Sequence, residues 1–485
     1  MENPLFDNRL KQLSKIPSPT HLNGLSVLND LNKAQKEGTL HILYNDYSIL
    51  YGSNKELSNI NIPHISPSPK NKQIICDLII INNPDDAERL VRKHIKKQPN
   101  LKPFLGNSII SNTDINAWKQ QRNHYISAFD LTTLHSIIPI TDKRALHYIH
   151  TLTALSNNGT SAVNINDYFL NETLGQLQLA MFGFSSEFIE TTQSNVRSMF
   201  SGKNIPYTKE FIPKFFNELD KSNGSLSQTM KDRFLDLGNK RNSEMVGNSL
   251  IFSFAGHDTT AHTLSWLIYE LSKNKIIQNK LYVEINHFWK TQENRTIEYS
   301  DLKRLPYMTR CIMETLRLWP AIPNGTFREL IEDDYIVDKY GNNIILPKGT
   351  YIQIPNWGRH RSDMLWGNDV LQFNPDREFI GDELWNNTVM NSYNPSSKRF
   401  SPFTYGPRDC IGKNFSQIEM RLILLHLIKN FEFSLTDKQN IRYTPENIGF
   451  NSFTLGPRNI ENDNLSDSTL GLWVNVKLRT TQSKL

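Results

Sequence analysis

The stretch Phe403-Thr404-Tyr405-Gly406-Pro407-Arg408-Asp409-Cys410-Ile411-Gly412 decides how this chain is read. Gly406 and Pro407 mark a tight turn. Gly412, without a side chain, lets the backbone pass close to a flat partner. Beyond it Phe415, Ile418, Leu422 and Leu425 recur at helical spacing, which predicts a helix from Asn414 to Lys429. Cys410 therefore sits just before a helix N-terminus, where unpaired N–H groups and the positive end of the helix dipole stabilise a thiolate. Arg408 adds a cation two residues away. A thiolate so placed serves as a nucleophile, as half of a disulfide or as a metal ligand. A structural cysteine under a glycine turn is the bland alternative.

The spacing Phe-x-x-Gly-x-Arg-x-Cys-x-Gly has all five fixed positions filled, by Phe403, Gly406, Arg408, Cys410 and Gly412. It resembles the cysteine-ligand loop of the cytochrome P-450 family. The resemblance implies haem b as cofactor, Cys410 as the axial thiolate of its iron, and Phe403, Arg408 and Gly412 beside the macrocycle.

The chain has 485 residues, enough by length alone for about three domains. No Ser/Gly-rich linker, long charge run or fixed-period repeat divides it, so a single large domain is expected. Lys and Arg number 54 against 49 Asp and Glu, a net charge of +5. That is too mild for a nucleic-acid binder, and suits an acidic protein partner if the basic groups cluster. The three cysteines, Cys76, Cys311 and Cys410, are too few and odd in number for a disulfide framework and point to a reducing compartment. Cys311 and Cys76 read as core. Residues 1–50 hold no apolar run long enough to cross a bilayer and no signal-peptide core. Residues 1–24 read as a polar segment in which Ile16-Pro17-Ser18-Pro19 looks like the family's proline-rich hinge without its usual anchor; residues 25–485 would be the haem domain. The expectation is a cytoplasmic monomer that touches a membrane at most peripherally.

Along the chain, Leu25 to Lys36 reads as a helix, Thr39–Tyr44 and Tyr47–Tyr51 as two strands, residues 61–73 as a polar loop and Ile74–Ile81 as a strand. Asn83 is expected to cap a helix with Pro84 at its first position and Asp85 and Asp86 in its first turn. Tyr168–Phe184 reads as one long helix. Phe200–Phe234 reads as two or three shorter ones, punctuated by Gly202, Pro206, Pro213 and Gly224. Glu244–Lys273 is the longest helical pattern, Leu305–Leu318 a further helix, Tyr351–Ile354 a strand and Gly471–Leu478 an edge strand. Residues 453–470 read as a long turn.

Four further motifs follow in the family's order. Trp118 and Arg122 are four apart and share one helix face; alone they read as an indole packed on a guanidinium, whereas the resemblance makes them donors to a haem propionate. Ala255-Gly256-His257-Asp258-Thr259-Thr260 places poor helix formers mid-helix, weakening it, with Thr259 able to bond back to the carbonyl of Ala255 and open the turn. The hexapeptide resembles the family's oxygen-activation motif. Ala255 and Gly256 would then permit close approach of haem and dioxygen. Thr259 would hold a proton at the bound oxygen, and Asp258, turned about 100° away, would swing toward solvent to supply it. Glu314 and Arg317 meet at i, i+3; with Arg377 of Phe373-Asn374-Pro375-Asp376-Arg377 they resemble the family's structural triad, pinning the loop before Cys410. Arg328 matches a propionate-facing arginine, and His360, beside Arg361, falls in a similar place.

The implied fold is mainly α with a small β-rich region, a single-domain cytochrome P-450 fold with haem between the long central helix and the Cys loop. The implied activity is monooxygenation: one atom of dioxygen inserted into an organic substrate, the other reduced to water. Two readings compete: an electron-independent haem-thiolate isomerase or peroxygenase, and a non-catalytic haem-binding protein. The Asp258–Thr259 pair favours the monooxygenase. No Gly-x-Gly-x-x-Gly or P-loop is present. Electrons would therefore come from a redox partner, an NADPH reductase or a ferredoxin, docking on Lys119, Arg122, Lys398, Arg399 and Lys413. Ile109, Ile110, Ile322, Pro323 and Leu455 fall where the family lines its pocket, so the expected substrate is small, apolar and lipid-like.

Overall fold

The apolar run that ends Asp77-Leu78-Ile79-Ile80-Ile81 has both faces buried. In the computed structural model Ile79 and Ile81 point into one cluster, with Leu90, Ile352 and Tyr405, while Leu78 and Ile80 point into another, with Tyr44, Tyr47 and Ile60. A strand covered on both sides has no reason to alternate, and reads as a continuous run. The structure describes residues 13–19, 24–51, 58–67, 73–201, 203–222, 230, 232, 243–292, 295–383, 397–436, 454–457 and 471–479.

In chain order the main elements are α1 (Gly24–Glu37), α2 (Leu40–Leu50), β1 (Ile60–Pro67), β2 (Gln73–Ile80), α3 (Pro84–Lys93), α4 (Ile115–Ile126), α5 (Ile138–Leu155), β3 (Ala162–Asn164), α6 (Ile165–Phe182), α7 (Ser186–Phe200), α8 (Thr208–Lys221), α9 (Ser243–Lys273), α10 (Lys275–Gln292), α11 (Pro306–Leu318), β4 (Thr326–Glu329), β5 (Asp334–Val337), β6 (Asn343–Leu346), β7 (Tyr351–Ile354), α12 (Asn356–His360), α13 (Lys413–Asn430), β8 (Phe431–Leu435) and β9 (Trp473–Leu478). Helices dominate and the sheets are small, the expected class. Among the described residues no helix is long and apolar enough to cross a membrane.

The chain forms two compact units. The first holds residues 1–121, 322–372 and 395–410. Its sheet runs β1-β2-β7-β4, with β2 and β7 parallel and the other pairs antiparallel, and β5 pairs with β6. The second holds residues 122–321, 373–394 and 411–485. It is a helical body around α9, with a sheet of order β3-β9-β8.

Several local expectations change. Residues 40–50, expected as strands, form α2, because Tyr44 and Tyr47 pack against the β1–β2 pair and Tyr47 Oη donates to Asp30 at 2.8 Å. Tertiary contact overrides the β-leaning composition. Most of the expected loop 61–73 is β1, which tolerates Pro63 and Pro67 because it lies on the sheet edge. β9, expected at an edge, is central: it alternates because one face is exposed, and alternation reports faces, not edges. Pro213 lies inside α8 and does not end it. The Ile16–Pro19 stretch is docked, with Leu13 and Ile16 in the core of the first unit and the Pro17 carbonyl accepting from Asn61 N at 2.8 Å. Residues 1–12, the helices expected past residue 222, the side chain of Cys76 and most of the 453–470 turn lie outside what the structure describes.

Candidate active site

In the first unit the Cys410 loop is closed by its own backbone, the Cys410 N–H donating to the Phe403 carbonyl at 3.0 Å. Cys410 is exposed and lies two residues before Gly412, the N-cap of α13. Thr404, inside the loop, holds a φ of 58°, a conformation that is costly for a β-branched residue. The loop is held from α12. Arg359, fully buried, donates to the Lys398 carbonyl at 2.9 Å, to Tyr405 Oη at 2.8 Å and to Ser401 Oγ at 2.9 Å. His360 Nε2 accepts from the Ser401 N–H at 3.1 Å. His360, expected beside the cofactor, is thus engaged with the loop backbone, and its neighbour Arg359, which the sequence reading passed over, is the hub. Arg361 stacks on Trp357, 3.8 Å from its centroid.

The same unit gathers buried positive charge. Arg408 lies over the Trp118 ring, 4.3 Å from its centroid, and donates to the Asn112 carbonyl at 2.8 Å. Arg328 has no exposed surface; it donates to Thr326 Oγ1 and to the Phe327 carbonyl, and its Nε and one terminal nitrogen have no hydrogen-bond partner among the described residues. Burial, with the charge of Arg408 nearby, brings Arg328 down to about 9. Lys97 donates to Thr326 Oγ1 at 3.2 Å and sits over the Phe327 ring. Burial first, then Arg328 and Arg408, push Lys97 well below the usual lysine value. Among the described residues neither Lys97 nor Arg328 meets a carboxylate. Buried charge without a partner is costly, so this cradle suits an anion that the described residues do not supply. Two propionates on a flat macrocycle fit it. Lys97 was missed because the second lysine of Lys96-Lys97, in a polar stretch before Pro99, carries no periodic or motif signal.

In the second unit α9 stays α-helical through the weakened patch. From Gly247 to Ser272 every residue is buried except Phe254, Ala255, Gly256 and Thr259, so the helix presents a small open window at the motif. Thr259 Oγ1 donates to the Ala255 carbonyl at 2.9 Å, as expected, without breaking the helix. Gly256 serves packing: a Cβ there would meet Leu177 Cδ1 of α6 at 2.6 Å. Gly412 shows the converse; among the described residues its added Cβ would meet only Phe129, at 3.9 Å, an ordinary contact. Asp258 does not face solvent. It is buried, accepts from Thr454 Oγ1, and burial raises its carboxyl above the usual range, against weaker lowering by His257, Thr454 and Arg197.

The triad assembles in the second unit. Glu314 accepts from Arg317 through both oxygens, from Arg377 Nε at 3.2 Å and from the Asn374 N–H at 3.0 Å. Arg122 is half-buried on α4. Of the expected docking cations, Lys398 pairs with Asp85, Arg399 donates to the Leu365 carbonyl, and Lys119 is exposed.

A family model described as Cytochrome P450 matches residues 205–461. Cytochrome P450 4F8 of Homo sapiens is 26% identical over 411 residues, covering 74% of this chain and 75% of that one. Cytochrome P450 3A12 of Canis lupus familiaris is 26% identical over 369 residues, covering 67% and 70%.

Proposed function

The chain belongs to the cytochrome P450 family and is a haem-thiolate monooxygenase, and on that premise we propose which of its residues do the work and on what. Cys410 is the thiolate ligand. Lys97, Arg328 and Arg408 receive the propionates, with Trp118 backing Arg408 and Arg122 on the same helix as Trp118. Haem b, when bound, supplies dioxygen activation, and its thiolate favours O–O cleavage. The chain supplies orientation and protons: Asp258 delivers the proton, and Thr259 holds it in place. Glu314, Arg317 and Arg377 hold the fold that carries the site. The observation that carries this reading is the set of buried cations, with two Arg328 nitrogens unpartnered among the described residues, in the unit that presents Cys410.

The substrate we infer is apolar and lipid-like, on the strength of Ile109, Ile110, Ile322, Pro323 and Leu455. Electrons come from a separate NADPH reductase or ferredoxin, since the sequence carries no nucleotide-binding motif of its own. The test is turnover under labelled dioxygen with NADPH and a reductase, screening lipids by spectral titration. One labelled atom in product per NADPH consumed supports the reading. Product formed from organic peroxide with no NADPH dependence would establish the electron-independent alternative.

A further inference from the structure

Asp258 belongs to a hydrogen-bonded chain that reaches across 196 residues of sequence. Its Oδ2 accepts from Thr454 Oγ1, and His262 Nδ1, one turn further along α9, lies 2.6 Å from the same hydroxyl. A threonine hydroxyl has one proton and two lone pairs. With its proton directed at Asp258, it can only accept from His262, so Nδ1 carries the imidazole proton and Nε2 is bare. The surroundings of Nε2 agree. It is buried, without a hydrogen-bond partner among the described residues, and Gly456 presses against it so closely that a Cβ there would lie 2.4 Å away. A proton on Nε2 would be an orphaned buried donor, at a cost of about 1–3 kcal/mol. Burial also lowers His262 to about 3, which keeps the ring neutral.

The other charged groups facing Asp258 do not replace this chain. His257, on the same helix, has Nδ1 on the Ser253 carbonyl at 2.6 Å. Arg197, from α7, is committed to Asn171 Oδ1 at 2.7 Å and Asp167 Oδ1 at 2.6 Å. The segment of Thr454 is itself fixed: the Leu455 N–H donates to the Ala321 carbonyl at 2.9 Å, and its carbonyl accepts from Trp266 Nε1 at 2.7 Å.

We propose that His262 and Thr454 are positioning residues of the oxygen-activation site, a neutral donor chain from Nδ1–H through Oγ1–H to Asp258 Oδ2 that fixes the carboxyl and leaves Oδ1 to exchange the transferred proton. This rests on the reading of Asp258 as a proton carrier. When Oδ1 gives up its proton the two donors stabilise the carboxylate; when water returns one, burial favours the neutral acid again.

Infrared difference spectra of the ferric holoenzyme across a pH titration follow the protonated carboxyl band that Asp258→Asn removes. Losing a donor to the carboxylate raises the pKa, so in Thr454→Val the band should persist to higher pH, with Thr454→Ser restoring the wild-type midpoint and His262→Phe shifting it in the same direction as Thr454→Val. Product per NADPH should fall in Thr454→Val with KM unchanged. Nitrogen-15 histidine spectra of the wild-type ferrous carbon-monoxide form, which need no variant to fold, should assign the proton to Nδ1 of His262. An unmoved band midpoint in Thr454→Val and His262→Phe, or a protonated Nε2, overturns the chain. If the band moves as expected while Asp258→Asn retains full coupling and rate, the hydrogen bonds stand but the proton-carrier reading fails, and the positioning role fails with it.

Discussion

Arg317 and Glu314 lie side by side with neither side chain exposed, Nε 2.7 Å from Oε2 and the terminal nitrogen 2.7 Å from Oε1. The fork-to-fork contact is the strongest form of the pair. Arg377 and the Asn374 N–H then bring the chain at 373–377 to the same carboxylate. Removing one partner of a buried pair leaves the other uncompensated, typically at about 3–5 kcal/mol. Arg317→Ala should therefore yield haem-poor, thermally labile protein, and Arg317→Lys should recover only part of the loss because it cannot fork. An Arg317→Ala protein with unchanged melting temperature and full haem content would reduce the pair to an ornament.

Gly256 gives a prediction that separates two uses of a glycine. Its Cβ position lies 2.6 Å from Leu177 Cδ1 and 2.8 Å from Cδ2. Overpacking of this kind costs about 1–3 kcal/mol. Gly256→Ala should lower stability by that order, and adding Leu177→Ala should cost less than the sum of the two single changes. Denaturant unfolding of the four proteins measures the coupling. Strict additivity, with the defect confined to oxygen binding, would favour close approach to the cofactor instead.

How much of this was legible follows the range of the interaction. The Asn83 cap was readable, and its side chain accepts from the Asp85 and Asp86 N–H groups at 3.0 and 3.1 Å. So was the return bond of Thr259 to Ala255, four residues away. Both are decided within one turn of helix. The residue types at Trp118, Arg328 and Arg408 were readable through the family pattern, but their mutual placement was not: Arg408 meets Trp118 and the Asn112 carbonyl only through the folded chain. Thr454 sits in a stretch with no pattern of its own, and its bond to Asp258 has no sequence signature. α2 failed for the same reason, since its tyrosines take their conformation from the sheet beneath them.

Thr259 should fail in a characteristic way. Its hydroxyl proton goes to the Ala255 carbonyl, which leaves the oxygen's lone pairs free to accept at the window of α9. Thr259→Ala should keep consuming NADPH with a reductase while peroxide replaces product, the product yield per NADPH falling by about 10²-fold. Thr259→Ser should retain most of the coupling. Unchanged coupling in Thr259→Ala would remove Thr259 from the proton path.

Lys97 predicts a pH dependence of haem retention. Without an anion, burial and the neighbouring Arg328 and Arg408 hold its ammonium well below the usual lysine value, so over a range of pH the haem-free cradle carries a neutral Lys97. A propionate beside it favours the charged form and raises its pKa again. Haem binding then takes up a proton between those two values. By linkage, affinity is greatest below the haem-free pKa, declines as pH rises through the window, and levels off above the haem-bound pKa. The opposite sign applies to folding of the haem-free chain: the unfolded lysine binds the proton more readily than the folded one, so stability without haem rises with pH across that range. Transfer of haem from the holoenzyme to a scavenger globin, timed at a series of pH values, measures the first effect. Wild type should lose haem progressively faster toward alkaline pH. Lys97→Met should lose haem faster than wild type at neutral pH, because one cation is gone, and should show a flatter profile. A Lys97→Met profile parallel to wild type would mean that Lys97 does not meet the anion, and that Arg328 and Arg408 hold it alone.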